Sequence, residues 1–291
     1  MRRLLVLLAA CGGAQPAGPP RPPTLTVADA GAEPRRIVRY DVPPHTSARV
    51  ELHEDLTLAQ SVTNTVLEQA ASHVAFPTVT ILQRAEVTEA LPDGSVLVRT
   101  DTERATYEGT IPDTAIGAQF DRTMRYLRRR HTTYRLAPDG TVADVHIDDG
   151  GKRPHDTSGL GEPDVPIVFP PTPIGVGATW TLTQTQLGGG IQWHRTLTCH
   201  LRALDDTSAS VEYETTSSAP SQPLWVEPSR STKLTTAHAS GGGHLLIPLH
   251  SLAPTGGSHA TSEATLSIID KDLRIETTIQ TQLETQVRPA D

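Results

Sequence analysis

The sequence predicts a mainly β protein: antiparallel β-meanders forming a curved sheet or sandwich, with one short amphipathic helix near 113–127. Three observations carry this. The 291 residues include 39 Thr, 22 Gly and 24 Pro, a mix that favours strands and turns over long helices. Apolar and polar residues alternate with period two: Leu197, Cys199, Leu201 and Ala203 are separated by Thr198, His200 and Arg202. Near the C-terminus Leu273, Ile275, Thr277 and Ile279 alternate with Arg274, Glu276, Thr278 and Gln280, again one wet and one dry face, as in antiparallel sheets. Finally, Leu91-Pro92-Asp93-Gly94 and Ala137-Pro138-Asp139-Gly140 share a turn chemistry that reads as two hairpins.

Along the chain, residues 1–11 read Met-Arg-Arg-Leu-Leu-Val-Leu-Leu-Ala-Ala-Cys: two positive charges, a short apolar run, then a cysteine after two small residues. Leu8, Ala9, Ala10 and Cys11 resemble the lipobox of bacterial lipoproteins. The resemblance implies that residues 1–10 are a signal peptide, that Cys11 is lipidated, and that the protein is held to a membrane by its lipidated N-terminus. The apolar run is far shorter than the roughly 20 residues of a spanning helix, so the acyl chains would be the anchor. Gly12 and Gly13, in place of aspartate, imply an outer-membrane destination facing the periplasm by the enteric sorting rule. Residues 11–35 carry Pro16, Pro19, Pro20, Pro22, Pro23 and Pro34 and are expected to form a Pro-rich disordered tether, extended at about 3.1 Å per residue.

The β-rich body is expected over 36–291. Within it, Ile116, Phe120, Met124 and Leu127 recur at helical spacing, with Asp113 or Thr114 as N-cap and the Arg125 to Arg130 run near the C-terminal dipole end. That basic run, with Lys152 and Arg153, reads as a solvated helix end or as a contact for anionic lipid or polysaccharide. Residues 59–74 fit a second helix or a long strand end. A weak echo at an offset of roughly 114 to 131 residues divides the body into halves at 36–150 and 165–288, either a duplication or a chance similarity of loop-rich β sequence.

The most specific motif in the body is Phe169-Pro170-Pro171-Thr172-Pro173-Ile174-Gly175-Val176-Gly177-Ala178-Thr179-Trp180. Its prolines force an extended path, Gly177 permits a turn and Trp180 starts a strand. The motif resembles the F-P-x-x-P-V-x-V-G-x-x-W box of a family of uncharacterised bacterial secreted lipoproteins, a domain of unknown function, although Ala178 stands where that family often has an acid. The resemblance implies no activity. Phe169, Gly177 and Trp180 are expected to be structural, plugging one end of the β core.

Catalytic and cofactor signatures are missing: G-x-S-x-G, H-E-x-x-H, G-x-x-x-x-G-K-[ST] and C-x-x-C do not occur. The glycine runs 188–190 and 241–243 lack a following helix or lysine and read as loops. His194 and His200 lie six residues apart, about 20 Å along one strand, too far to share an ion. His238, His244, His250 and His259 fall in a Gly- and Ser-rich stretch and read as exposed, so neither metal nor cofactor is expected. Cys199 and His200 point to opposite faces if the strand holds, which leaves Cys199 to the core. The pairs Asp148-Asp149 and Asp205-Asp206 suit turns. With 25 Lys and Arg against 33 Asp and Glu, no global positive field exists for nucleic acid.

The functional expectation is therefore a non-enzymatic, membrane-anchored envelope lipoprotein with a structural or interaction role toward an unknown envelope protein. The alternative is a hydrophobic-ligand module resembling the periplasmic lipoprotein-carrier folds, with helix 113–127 closing a half-barrel. An apolar cavity of about 300 Å³ or more would favour the alternative. Cys11→Ser should abolish membrane association while leaving the body soluble and folded; a mutant still pelleting with envelope membranes after high-salt washing would exclude the lipobox reading.

Overall fold

A computed structural model describes residues 23–64, 70–109, 114–148, 167–188, 191–227, 230–270 and 273–290. Cys11, Asp113, Asp149, Lys152, Arg153 and Gly189-Gly190 lie outside these residues. The elements are β1 (Thr24–Asp29), β2 (Ser47–Asn64), β3 (Ala70–Ala75), β4 (Thr78–Ala90), β5 (Val96–Glu108), α1 (Thr114–Leu127), β6 (His131–Leu136) and β7 (Val142–Asp148). They continue with β8 (Thr179–Gly188), β9 (Ile191–Leu204), β10 (Ser208–Ala219), β11 (Gln222–Glu227), β12 (Arg230–Pro248), β13 (Thr255–Asp270) and β14 (Leu273–Pro289).

All the strands join one antiparallel sheet, ordered β1-β8-β9-β10-β12-β13-β14-β2-β4-β5-β6-β7, with β11 on β12 and β3 on β2. The sheet is not closed into a barrel, and among the described residues there is no second sheet to make a sandwich. The segments 36–150 and 165–288 are each mostly meander, and they merge where the C-terminal β14 pairs with β2, for example Val287 with Leu52 and Ile279 with Gln60. Two long strands each receive two shorter ones along one edge. Pro77 separates β3 from β4 on β2, and Pro220 separates β10 from β11 on β12. A proline has no N–H to give the ladder, so the strand breaks there.

Hairpin turns form at both Asp-Gly sites, with Gly94 at φ 82° and Gly140 at φ 91°. Asp93 and Asp139 each accept the backbone N–H two residues on, that of Ser95 and of Thr141. Residues 59–64 continue β2, and a strand resumes at Ala70. Leu197, Cys199 and Leu201 are buried as the alternation requires, but Ala203 is exposed. A register shift between Ser210 and Val211 pairs them with Ala203 and Leu201, so that strand β9 loses its phase after Leu201.

Two expectations are corrected. The tether does not extend to residue 35: Thr24–Asp29 is strand β1, paired with β8 from Thr24–Thr183 to Asp29–Thr179. Leu25 and Val27 give this segment a dry face that packs on the core, a signal outweighed by the prolines around it. Gly241-Gly242-Gly243 is not a loop but the middle of β12. A Cβ at Gly241 would stand 2.4 Å from the His259 carbonyl oxygen and one at Gly243 2.4 Å from that of Gly257, so close strand approach selects glycine.

The motif at 169–180 connects parts of the sheet remote in strand order. Phe169 N–H donates to the Asp139 carbonyl in the β6–β7 turn at 2.7 Å, and Gly177 N–H, at φ 88°, donates to Leu201 of β9 at 2.8 Å. Ile174 and Arg36 exchange backbone hydrogen bonds. Phe169 and Trp180 are fully buried, their rings 6.0 Å apart, and Tyr40 adds a third ring 5.6 Å from Phe169. The indole N–H donates to the Val168 carbonyl at 2.8 Å, so the ring is buried without stranding its polar atom. Leu182 shares the dry face of Trp180, whereas Val176 is exposed. Trp180→Ala should lower stability by roughly 3–5 kcal/mol, as large aromatic deletions in cores do. An unchanged thermal melt would exclude a structural role for this ring.

Candidate functional site

The inner face of the sheet is divided into separate apolar clusters. One lies on β8, β9, β10 and β12 and includes Trp180, Leu197, Leu201, Leu245 and Ile247. Another lies on β4 to β7 and includes Val87, Val98, Leu136 and Val142. Tyr40 packs against both. Between them lies a cavity of about 310 Å³. Its walls come from β4, β5, β6 and β7 on one side, and from β12 with the following segment (Ser251, Leu252, Pro254) on the other. Strands β5 and β12 are separated by β13, β14, β2 and β4 in the sheet, so sharing a cavity requires the sheet to roll round on itself.

Most of the lining is apolar: Val50, Leu52, Ala85, Tyr134, Leu136, Val142, Val145, Ile147, Ile167, Leu245, Ile247, Leu252, Pro254 and Val287. Polar side chains concentrate on one wall. Gln83 pairs with Thr102 across β4 and β5, Thr100 pairs with Thr132 across β5 and β6, and Arg130 stands just before β6. Arg130 is 7% exposed and its Nε donates to Thr132 Oγ1 at 3.4 Å. No Asp, Glu, Lys or His lines the cavity among the described residues. The Tyr40 hydroxyl donates to the Ile167 carbonyl at 3.3 Å, and burial raises its pKa, so it remains a neutral phenol.

The wall at 249–254 is fastened through His250. One ring nitrogen meets the Asp41 carbonyl at 2.9 Å and the other meets the Asp206 carbonyl at 3.2 Å. Two carbonyl acceptors require two N–H donors, which only the imidazolium supplies, and the hydrogen bonds raise the His250 pKa. The charged groups around it are the Asp41 carboxylate at 3.9 Å and Asp206, which pairs with Arg36. Asp205 beside it is held down to about 2 by hydrogen bonds from the backbone and hydroxyls of Thr207 and Ser208.

The residues singled out from sequence fall elsewhere. Phe169, Gly177 and Trp180 sit at the junction of the sheet ends. Cys199 is buried opposite Trp180, and burial pushes its thiol up to about 12, a poor nucleophile. His200 is on the other face, hydrogen-bonded to Thr179 Oγ1. Among the described residues no three His, Cys, Asp or Glu side chains cluster to hold a metal ion. The basic run divides: Arg125 and Arg129 are exposed, Arg128 donates from Nε to the Ala105 carbonyl at 2.9 Å, and Arg130 turns into the cavity. The residues sequence reasoning missed are therefore Gln83, Thr100, Thr102 and Thr132, while Arg130 was read only as part of the basic run. Their signal was polar side chains at dry-face positions of three adjacent strands.

No family model and no curated protein matches the chain. Among solved structures, the P. putida toluene transporter TodX aligns at 8% identity over 86% of this chain and 91% of that chain, with a TM-score of 0.20. The TodX monoaromatic hydrocarbon channel deltaS2 mutant aligns over the same shares at 8% identity and a TM-score of 0.19. Likenesses of this size carry no argument about fold or ligand. Nor is any described helix long and apolar enough to cross a membrane.

The clasp sets a pH dependence. Because the folded His250 pKa is raised, its contribution is complete below the ordinary histidine value near 6.5 and is lost as pH rises through the folded value. Hydrogen exchange of residues 249–254, corrected for intrinsic rates, should accelerate across that window and lose its pH dependence in His250→Gln. Equal protection on both sides of the window would exclude the clasp.

Proposed function

We propose that this chain is a non-catalytic binding protein of the cell envelope, anchored through Cys11, whose rolled sheet holds a hydrophobic ligand between its two ends. The observation that carries the reading is the cavity of about 310 Å³ with mostly apolar walls. That volume is at the lower end of small-molecule sites, and apolar walls with a few convergent polar groups are the usual lining of such sites. A purely structural or interaction role gives no reason to leave such a space between two clusters, because filling it would add stability. The cavity thus favours the hydrophobic-ligand alternative over the structural one.

The ligand must be small or a single chain, since roughly 300 Å³ is the bottom of the range for drug-sized molecules. Native mass spectrometry of the purified full chain carrying Cys11→Ser should detect a co-purified hydrophobe, or uptake of one from an added alkyl series. Ala85 lines the cavity and is buried. Ala85→Phe should fill part of the space and reduce occupancy by at least tenfold while the protein remains folded by circular dichroism. A wild-type protein that carries no hydrophobe and takes none up, or an Ala85→Phe variant that binds equally well, would overturn the reading.

A further inference from the structure

Resting on the hydrophobic-ligand reading, we propose that the cavity takes an uncharged aliphatic hydrophobe without a polar head group, because its polar wall is already paired within the protein. Arg130, the one charged side chain on the lining among the described residues, donates from Nε to Thr132 Oγ1 and has a further interaction within the protein, as does Gln83. The Thr100 hydroxyl is hydrogen-bonded to Tyr134, and the Tyr40 hydroxyl donates to the Ile167 carbonyl. Burial raises the pKa of both tyrosines, so neither adds a charge. Thr102 and Ser251, half-buried and uncharged, complete the polar side chains of the lining.

Each kind of head group meets a different obstacle. A carboxylate entering this space gives up its hydration and finds the guanidinium committed, so it has to compete with the partners Arg130 already has. An ammonium finds no carboxylate on the lining among the described residues. A hydroxyl loses less, yet it either displaces an existing pair such as Thr100 with Tyr134 or goes without a partner. A hydrocarbon gives up no hydrogen bond on entry and is buried against Val50, Leu52, Ala85, Leu245, Ile247 and Val287. Tyr40 and Tyr134 are the only rings on the lining among the described residues, and the rest of the apolar wall is aliphatic, which suits a chain better than a stack of rings.

The test uses four eight-carbon probes, octane, 1-octanol, octanoate and octylammonium, each below its solubility, displacing the uncharged dye N-phenyl-1-naphthylamine from the full chain carrying Cys11→Ser. Octane should bind tightest and 1-octanol about tenfold more weakly. Octanoate and octylammonium should each be weaker than octane by about a hundredfold or more. Tyr134→Phe releases the Thr100 hydroxyl, so 1-octanol should gain about threefold or more relative to octane, whose own binding stays the same. Octanoate or octylammonium binding as tightly as 1-octanol, or a ratio of 1-octanol to octane that Tyr134→Phe leaves unchanged, overturns the assignment while leaving a hydrophobic site. Should Tyr134→Phe not fold, the ranking of the four probes on the otherwise unchanged chain decides alone. If neither the dye nor any probe binds, the hydrophobic-ligand reading falls and the ligand class with it.

Discussion

A sheet that rolls without closing leaves its terminal strands to be secured, and here the packing of Tyr40, Phe169 and Trp180 does so. The last hairpin, β6–β7, lies at one end of the strand order and β8–β9 near the other. Backbone hydrogen bonds from Tyr40 to Pro138 and from Phe169 to Asp139 reach the first, and the bond from Gly177 to Leu201 reaches the second. Gly140 is built into this junction: a Cβ there would stand 2.3 Å from the Ile167 carbonyl oxygen and 2.7 Å from the Tyr40 ring. The segments 36–42 and 167–178 thus act as a cross-tie made of irregular backbone, and the buried indole couples its sequence to that of the sheet. Without it, the two apolar clusters that face one another across the roll would be joined by little more than the segment 249–252, which places Leu249 in one cluster and Leu252 against the other.

The same tie explains why a cavity exists. Tyr40 packs against both clusters and sets their separation at the tied end. Deeper in the roll, α1 fills the interior: Phe120, Met124 and Leu127 pack on Val50, Leu52, Ile81 and Val287, and the Phe120 ring lies 5.9 Å from Phe76 and 5.0 Å from Tyr107. The cavity lies beside Tyr40, between Leu136 and Val142 on one side and Leu245 and Ile247 on the other, with Val50, Leu52 and Val287 of the helix's own cluster on its wall. Its polar wall is where the chain leaves the helix, passes through Arg128 and Arg130 and enters β6, so the guanidinium position follows from the connection between two packed elements.

How much of this is legible in sequence depends on the range of the interaction concerned. Local rules sufficed for the Asp-Gly turns, for the burial alternation at Leu197, Cys199 and Leu201, and for a helix carrying Phe120, Met124 and Leu127 on one face. Composition misled where a few residues contradicted their surroundings: Leu25 and Val27 make a strand amid prolines, and three successive glycines sit in a strand because neighbouring backbone leaves no room for Cβ. The pairing of β14 with β2 joins residues more than two hundred positions apart, and no local pattern specifies it. Arg130 was masked for a related reason. In a run of basic residues at a helix end it reads as a solvated end or a surface contact for anionic lipid or polysaccharide, and only the return of β6 beside β5 turns it inward.

The walls of the cavity are secured in different ways. As a sequence motif the helix suggested a cover over a half-barrel, yet none of its described side chains lines the cavity. It is fixed beside the space by an aromatic stack, by three buried apolar side chains and by the hydrogen bond from Arg128 to Ala105 just beyond its end. The strand walls are fixed by their ladders. The segment 249–254 is held without a ladder, by the backbone bonds from Asp41 to Leu249 and from Leu249 to Thr207, by the two hydrogen bonds of His250, and by the packing of Leu249, Leu252 and Ala253 on three apolar clusters. Opening the cavity through β7 would break a strand pairing, and opening it through α1 would expose Phe120 and Met124. Opening it at 249–254 would break the exposed hydrogen bonds of His250 and the packing of Leu249, Leu252 and Ala253.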